Sequence, residues 1–166
     1  EVASNYSYVK ASHTMYDGVK ITRTVIFFND GAVYFRDQIE SDSEHTYTQM
    51  FNIGNDVIIN DTNQNNLNLS STIDNSSLTL TQLNPIQDFE SYTGSNKPLR
   101  GWRSTTFNEV TPITTLHYSL EGSDVAFETA ISLGMEIIDV ENFQDGSIEV
   151  YIFEFDNNRT ERIEIG

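Results

Sequence analysis

Val19-Lys20-Ile21-Thr22-Arg23-Thr24-Val25-Ile26-Phe27-Phe28 runs into Asn29-Asp30-Gly31, and Ala32-Val33-Tyr34-Phe35-Arg36-Asp37 follows at once. β-branched and aromatic side chains recur on both sides of the break. Much of that recurrence has the period of two that a strand needs, because successive side chains face opposite ways. Asn, Asp and Gly tolerate the positive φ of a tight reversal, so the stretch specifies two antiparallel strands joined by a hairpin turn.

The rest of the chain repeats the theme. It holds 17 Thr, 16 Ser, 8 Tyr and 10 Phe, residue types that suit a pleated, half-buried surface. Further strands are expected at Glu44–Ile53, Asp56–Asn60, Leu67–Ile73, Leu78–Leu83, Gln87–Tyr92, Arg103–Asn108, Thr114–Leu120, Val125–Leu133, Glu136–Val140, Ser147–Phe155 and Arg162–Ile165. Asp74-Asn75-Ser76-Ser77, Glu121-Gly122-Ser123-Asp124 and Gln144-Asp145-Gly146-Ser147 separate them as turns. The amide-rich centre of Asn55–Asn68 suits a loop tip between two strands. Closely spaced strands with no helical units between them describe an all-β, antiparallel β-sandwich of many short strands with little or no helix. There is no internal repeat and no linker, so residues 1–166 are expected to form a single domain.

Composition excludes several classes of function. A chain of 166 residues buries roughly 70% of its unfolded surface and needs no covalent staple. The absence of cysteine removes disulfides, thiolate metal sites and a cysteine nucleophile. Nine Lys+Arg against 25 Asp+Glu leave a formal charge of −16. Nucleic acid as a general partner is thereby excluded, since phosphate binding needs clustered cations. Anionic membrane surfaces are disfavoured too, and no apolar run is long enough for membrane insertion. Glu1-Val2-Ala3-Ser4-Asn5 lacks the basic and apolar segments of a secretory leader, and no Met stands first. The chain is therefore expected to be a processed or partial product with further sequence upstream. Twelve carboxylates lie between Glu121 and Gly166, with only Arg159 and Arg162 to oppose them. In a segment such as Ile148-Glu149-Val150-Tyr151-Ile152 they suit a solvated outer face.

Chemistry-bearing patterns are few. His13, His45 and His117 are far apart in sequence and carry no metal-ligand spacing, so each is expected at the surface or a strand edge. No Gly-x-Ser-x-Gly elbow and no phosphate-binding Gly loop occur. Asp156-Asn157-Asn158 suits a hairpin turn better than a calcium loop. No carboxylate is assigned a catalytic role, no metal site is expected, and no cofactor is implied. One cluster runs against the overall charge: Lys97-Pro98-Leu99-Arg100-Gly101-Trp102-Arg103 holds three of the nine cations and the only Trp. An indole stacks on a sugar face and guanidinium forks take carboxylate or sulfate, so Arg100, Trp102 and Arg103 are the candidate substrate-binding residues for an acidic glycan. The competing expectation is a Trp packed between sheets, with its cations balancing nearby acids.

The order of these features resembles the heparinase II/III-like polysaccharide lyases. Tyr8–His13 followed by Gly18–Phe28 is similar to a strand pair of that family, and Val33–Asp37 to the strand that follows. His45–Ile53 is similar to the next strand, with Asn52 where the family often carries His. Gly101-Trp102-Arg103-Ser104, with Pro112 and Leu116 after it, resembles a Gly-Trp-x-Ser segment, and Val125–Leu133 a late strand. The resemblance spans residues 6–135. It implies a C-terminal β-sandwich that follows a catalytic α/α-toroid and acts with it on acidic, uronate-containing polysaccharide. In those enzymes a base removes the C5 proton and an acid assists the leaving oxygen in a β-elimination.

The family's Asn, His and Tyr catalysts lie largely in the toroid, and its metal-binding His-x-His and Asn-adjacent His precede the stretch matched here. This chain has neither His-x-His nor His-Asn. The resemblance therefore implies a non-catalytic portion, inactive alone, that braces the catalytic domain and lines the substrate cleft of a secreted, cell-surface or periplasmic enzyme. The alternatives are a stand-alone carbohydrate-binding module with exposed Tyr34, Tyr47 and Tyr151, a purely structural domain, and an enzyme in its own right, which requires His13, His45 or His117 to converge with Tyr or Arg in a cleft.

Overall fold

The computed structural model describes residues 5–61 and 63–166, so residues 1–4, with most of the segment that lacks a leader pattern, and Thr62 in the amide-rich loop lie outside the described residues. The described chain has no helix. Its strands are β1 Tyr6–Tyr16, β2 Val19–Phe28, β3 Ala32–Ile53, β4 Val57–Ile59, β5 Asn66–Ser71, β6 Ser77–Gln82, β7 Asp88–Thr93, β8 Ser95–Asn96, β9 Leu99–Arg100, β10 Trp102–Arg103, β11 Thr111–Pro112, β12 Thr114–Ser132, β13 Ile137–Asp145, β14 Ile148–Phe155 and β15 Thr160–Ile165. All pairings are antiparallel, and the main sheet runs β1-β2-β3-β12-β6-β5-β4 with β7 also on β12. The Asn29-Asp30-Gly31 reversal is present: Gly31 has φ +99° and its N–H donates to the Phe28 carbonyl at 3.1 Å.

Two corrections concern the longest elements. The strands expected at 32–37 and 44–53 are one strand, β3, and those expected at 114–120 and 125–133 are one strand, β12. The two pair from Thr114↔Ile53 to Ser132↔Ala32. Glu121–Asp124 is thus a bulged bend inside a ladder instead of a turn. Gly122 pairs with His45 and Asp124 with Glu40, so β12 advances two residues while β3 advances five, and such extra residues bend and twist a ribbon.

How far it bends is fixed by a buried polar network. Asp37 and Gln49 are twelve residues apart on one strand, which in extended chain is about 40 Å. Yet the Gln49 side-chain amide donates to Asp37 Oδ2 at 3.2 Å. The Gln49 carbonyl accepts from Gln82 at 3.1 Å and from Thr129 at 2.9 Å. The ribbon therefore doubles back. Its first half of β3 and second half of β12 belong to one layer, with β1, β2, β6, β5 and β4; its other half, with β7, forms a second layer.

Between these layers lies one core, with Ile39, Leu67, Leu80, Leu116, Tyr118 and Phe127. On the opposite face of the main layer, Ile26, Phe28 and Tyr34 pack against Tyr151, Phe153, Phe155 and Ile163 of the separate sheet β13-β14-β15. Phe28 and Tyr34 meet Phe153 edge to face at 5.1 and 5.0 Å, the geometry that aromatic quadrupoles favour. The sandwich is therefore three layers deep.

This third layer overturns two further expectations. Tyr34 and Tyr151 are fully buried and cannot form an exposed sugar-binding strip with the half-buried Tyr47. Glu149 is also buried, so this part of β14 is no solvated face: it points inward in phase with Tyr151 and Phe153 and meets Lys10 at 2.5 Å and Arg36 at 3.5 Å. The strand expected at Arg103–Asn108 is only Trp102–Arg103, because the chain leaves the ladder to form a loop.

Replacing Gln49 by Ala leaves the buried Gln82, Thr129 and Asp37 groups short of partners. Urea denaturation should show a loss of about 3 kcal/mol. Asn60→Ala, which removes an exposed amide bonded to Ser70, should cost about 0.5 kcal/mol or less. Equal losses would contradict the closure of the ribbon by this network.

Candidate functional site

The expected cation cluster lies on the excursion between β7 and β12. Two short ladders shape it: Ser95↔Arg100 and Asn96↔Leu99 in one, Trp102↔Pro112 and Arg103↔Thr111 in the other. They meet at Gly101. Its carbonyl accepts from Gly94 N at 3.0 Å and from Ile113 N at 2.9 Å. Gly101 has φ +72°, and a Cβ there would lie 2.6 Å from the Tyr92 carbonyl oxygen and 2.7 Å from that of Ile113. Only glycine fits this crossing.

Trp102 is half-buried and belongs to neither core. Its indole N–H donates to the Ser95 carbonyl at 2.9 Å, and its ring lies close to Gly94. Its N–H pins the loop, and the ring is not packed between the sheets. Arg100 and Arg103 end the strands on either side of Gly101-Trp102, and both are exposed. Arg100 Nη1 donates to the Leu99 carbonyl at 3.0 Å.

The electrostatics set this loop apart. Six of the nine cations form ion pairs: Lys10 with Glu149, Lys20 with Glu40, Arg23 with Asp37, Arg36 with Glu128, Arg159 with Asp30 and Arg162 with Glu164. Among the described residues Lys97, Arg100 and Arg103 form none, and all three lie on this loop beside exposed Leu99, Phe107 and Val110. An acidic chain thus presents three uncompensated cations together. They have not paid the desolvation and ordering costs of an internal ion pair, and their donors remain for carboxylate or sulfate.

Sequence reasoning missed His117. It is buried in the middle of β12, between Met50 of β3 and Glu90 of β7, with the Tyr92 ring 5.3 Å away at 67°. Among the described residues its Nε2 has no hydrogen-bond partner. Burial lowers its pKa, the charge of Arg100 lowers it further, and Glu90 opposes them. The local alternation puts Leu116 and Tyr118 toward the core and His117 away from it, so only the covering strand and loop reveal its burial. His13 and His45 are exposed and line one groove together with Tyr16, Arg23 and Tyr47; His13 accepts from the Met15 amide and His45 bonds Ser43. No group of three or more potential metal ligands occurs among the described residues.

Comparison with known proteins adds a lineage to this geometry. The family model described as heparinase II/III-like, C-terminal, matches residues 1–134. A solved heparan sulfate lyase from Pedobacter heparinus is 12% identical, with a TM-score of 0.76 over 99% of this chain and 26% of its own. A heparinase III gene product is 13% identical, with a TM-score of 0.78 over 98% of this chain and 26% of its own. A further heparinase III structure is 13% identical, with a TM-score of 0.70 over 96% and 25%. The chain thus spans about a quarter of the length of these neighbours, and likeness at such identity shows the fold. No curated protein matches the chain.

The burial of His117 has a pH consequence. The unfolded chain takes up a proton near the ordinary value of 6.5, whereas the folded chain does so only at lower pH. Stability present above pH 6.5 is therefore lost as the pH falls through the depressed folded value. The urea midpoint of the native protein should fall between about pH 7.5 and about pH 5.5 by more than that of His117→Gln. Parallel falls would mean that His117 is solvated.

Proposed function

We propose, given that the chain belongs to the heparinase II/III-like C-terminal family, that it is the non-catalytic β-sandwich portion of a lyase that cleaves uronate-containing polysaccharide by β-elimination. The observation that carries this function is the loop at residues 95–112, where every uncompensated cation among the described residues is gathered. Lys97, Arg100 and Arg103 supply charge and forked donors for the carboxylates and sulfates of an acidic glycan. Trp102 and Gly101 hold the loop in shape. The remainder of the chain is acidic enough to repel a polyanion. The loop is therefore the segment that lines the substrate cleft, while the chemistry belongs to an upstream catalytic domain in a secreted, cell-surface or periplasmic enzyme.

Bracing of that domain has its own support. From His45 to Ile53, β3 pairs with β12 alone among the described residues, so its other edge carries backbone groups outside any ladder there. Beside that edge runs a groove of about 1140 Å³ with Val19, Ile21, Phe35 and Phe51 in its lining and exposed Met15 and Tyr16 at its margin. An open edge next to apolar surface accepts another strand. The neighbours named above are about four times longer than this chain, which supplies polypeptide for the role.

Affinity for a heparan sulfate oligosaccharide tests the loop. The triple replacement Lys97→Ala, Arg100→Ala, Arg103→Ala should weaken binding about tenfold or more and reduce its salt dependence, with the unfolding midpoint unchanged. Identical behaviour of native and triple-variant protein, including no binding by either, would remove the loop from the cleft wall.

A further inference from the structure

The face of the main layer that packs on β13-β14-β15 changes character along its length. Ile26, Phe28, Ala32 and Tyr34 are buried there as core. Farther along the same strands the lining becomes Thr24, Thr22 and Lys20 on β2, and Arg36, Gln38 and Glu40 on β3. The third layer does not close over this polar end. A cleft of about 580 Å³ remains, completed by Phe143 and Gln144 of β13 and Glu149 of β14, a volume within the range of small-molecule sites. β13, β14 and β15 lie beyond residue 134, where the family match ends. The cleft therefore joins the family's sandwich to a segment outside the match.

Its charges are already balanced, in contrast to the loop. Arg36 Nε donates to Glu128 at 3.1 Å, and Asn142 Nδ2 donates to the same oxygen at 2.8 Å. Lys10 donates to Glu149 at 2.5 Å and Lys20 to Glu40 at 3.1 Å. An anion would have to displace one of these carboxylates within an acidic chain, and a cation would have to displace a Lys or Arg. A hydroxyl group both donates and accepts, so it bonds between members of existing pairs without adding charge. Phe143 alternates with the inward Asn142 and Gln144, so its ring faces the outer side of the third layer beneath Arg162, and the cleft keeps a lining of hydroxyl, amide and paired charged groups.

We infer that this cleft binds a neutral saccharide of one or two rings, with hydroxyls among Arg36, Gln38, Gln144 and Glu149. This site is separate from the anionic contact proposed for the loop.

Amide NMR titration tests it, with glucose, galactose and N-acetylglucosamine as neutral probes and glucuronate as their charged counterpart. At least one neutral sugar should shift the amides of Thr22, Gln38 and Gln144 and saturate. Gln144→Ala should weaken that binding about fivefold or more without lowering the unfolding midpoint. The Lys97, Arg100, Arg103 triple variant should bind the sugar as native protein does, which separates this site from the loop. The inference is overturned if none of the neutral sugars shifts these amides at about 100 mM, if the shifts map elsewhere, or if glucuronate binds more tightly.

Discussion

The doubling back of the β3–β12 ribbon is the constraint on which the rest of the molecule depends. A ladder reaching from Thr114↔Ile53 to Ser132↔Ala32 could have been a flat plank. Instead Asp37 and Gln49, twelve residues apart, share a hydrogen bond, and Gln49 also takes donors from Gln82 and Thr129. Such a network demands complete satisfaction in a low-dielectric interior, which makes it specify one bend angle. The bend encloses the core around Tyr118 and Phe127. It leaves the other face of the main layer for β13-β14-β15 and aligns β7 and the loop after it on the second layer. Loop, open edge and polar cleft all follow from it.

Strand content and the tight reversal at Asn29-Asp30-Gly31 were legible in the sequence because each rests on local chemistry: period-two alternation and positive φ. The continuity of the long strands was not. Turn-forming residues at Glu121–Asp124 read as a reversal, and only the partner strand, with its three extra residues opposite, makes them a bulge. Glu149 reads as solvent-facing by charge, although it is in phase with Tyr151 and Phe153, which proved the better guide. Tyr34 and Tyr151 read as sugar platforms because aromatic type is local information, whereas a covering third layer is not.

The candidate site was half legible. Local sequence picked out Arg100, Trp102 and Arg103 by clustering, and the structure places all three on one loop. What gives that cluster meaning is long-range: the other six cations are engaged by carboxylates up to 139 residues away in sequence. The indole N–H of Trp102 is committed to Ser95, a contact that holds the loop and that the sequence did not signal. His117 carried no local sign of burial at all. The same arithmetic of paired and unpaired charge separates two surfaces, one suited to an anion and the other to an uncharged hydroxyl-rich ligand.

Arginine footprinting with phenylglyoxal, in the presence and absence of a heparan sulfate oligosaccharide, tests most directly whether unpaired charge fixes the contact. The account predicts that Arg100 and Arg103 react readily in the free protein and are protected by the glycan. Arg23, Arg36 and Arg162, already held by Asp37, Glu128 and Glu164, should show no change. Protection of the paired arginines, with Arg100 and Arg103 left reactive, would contradict it.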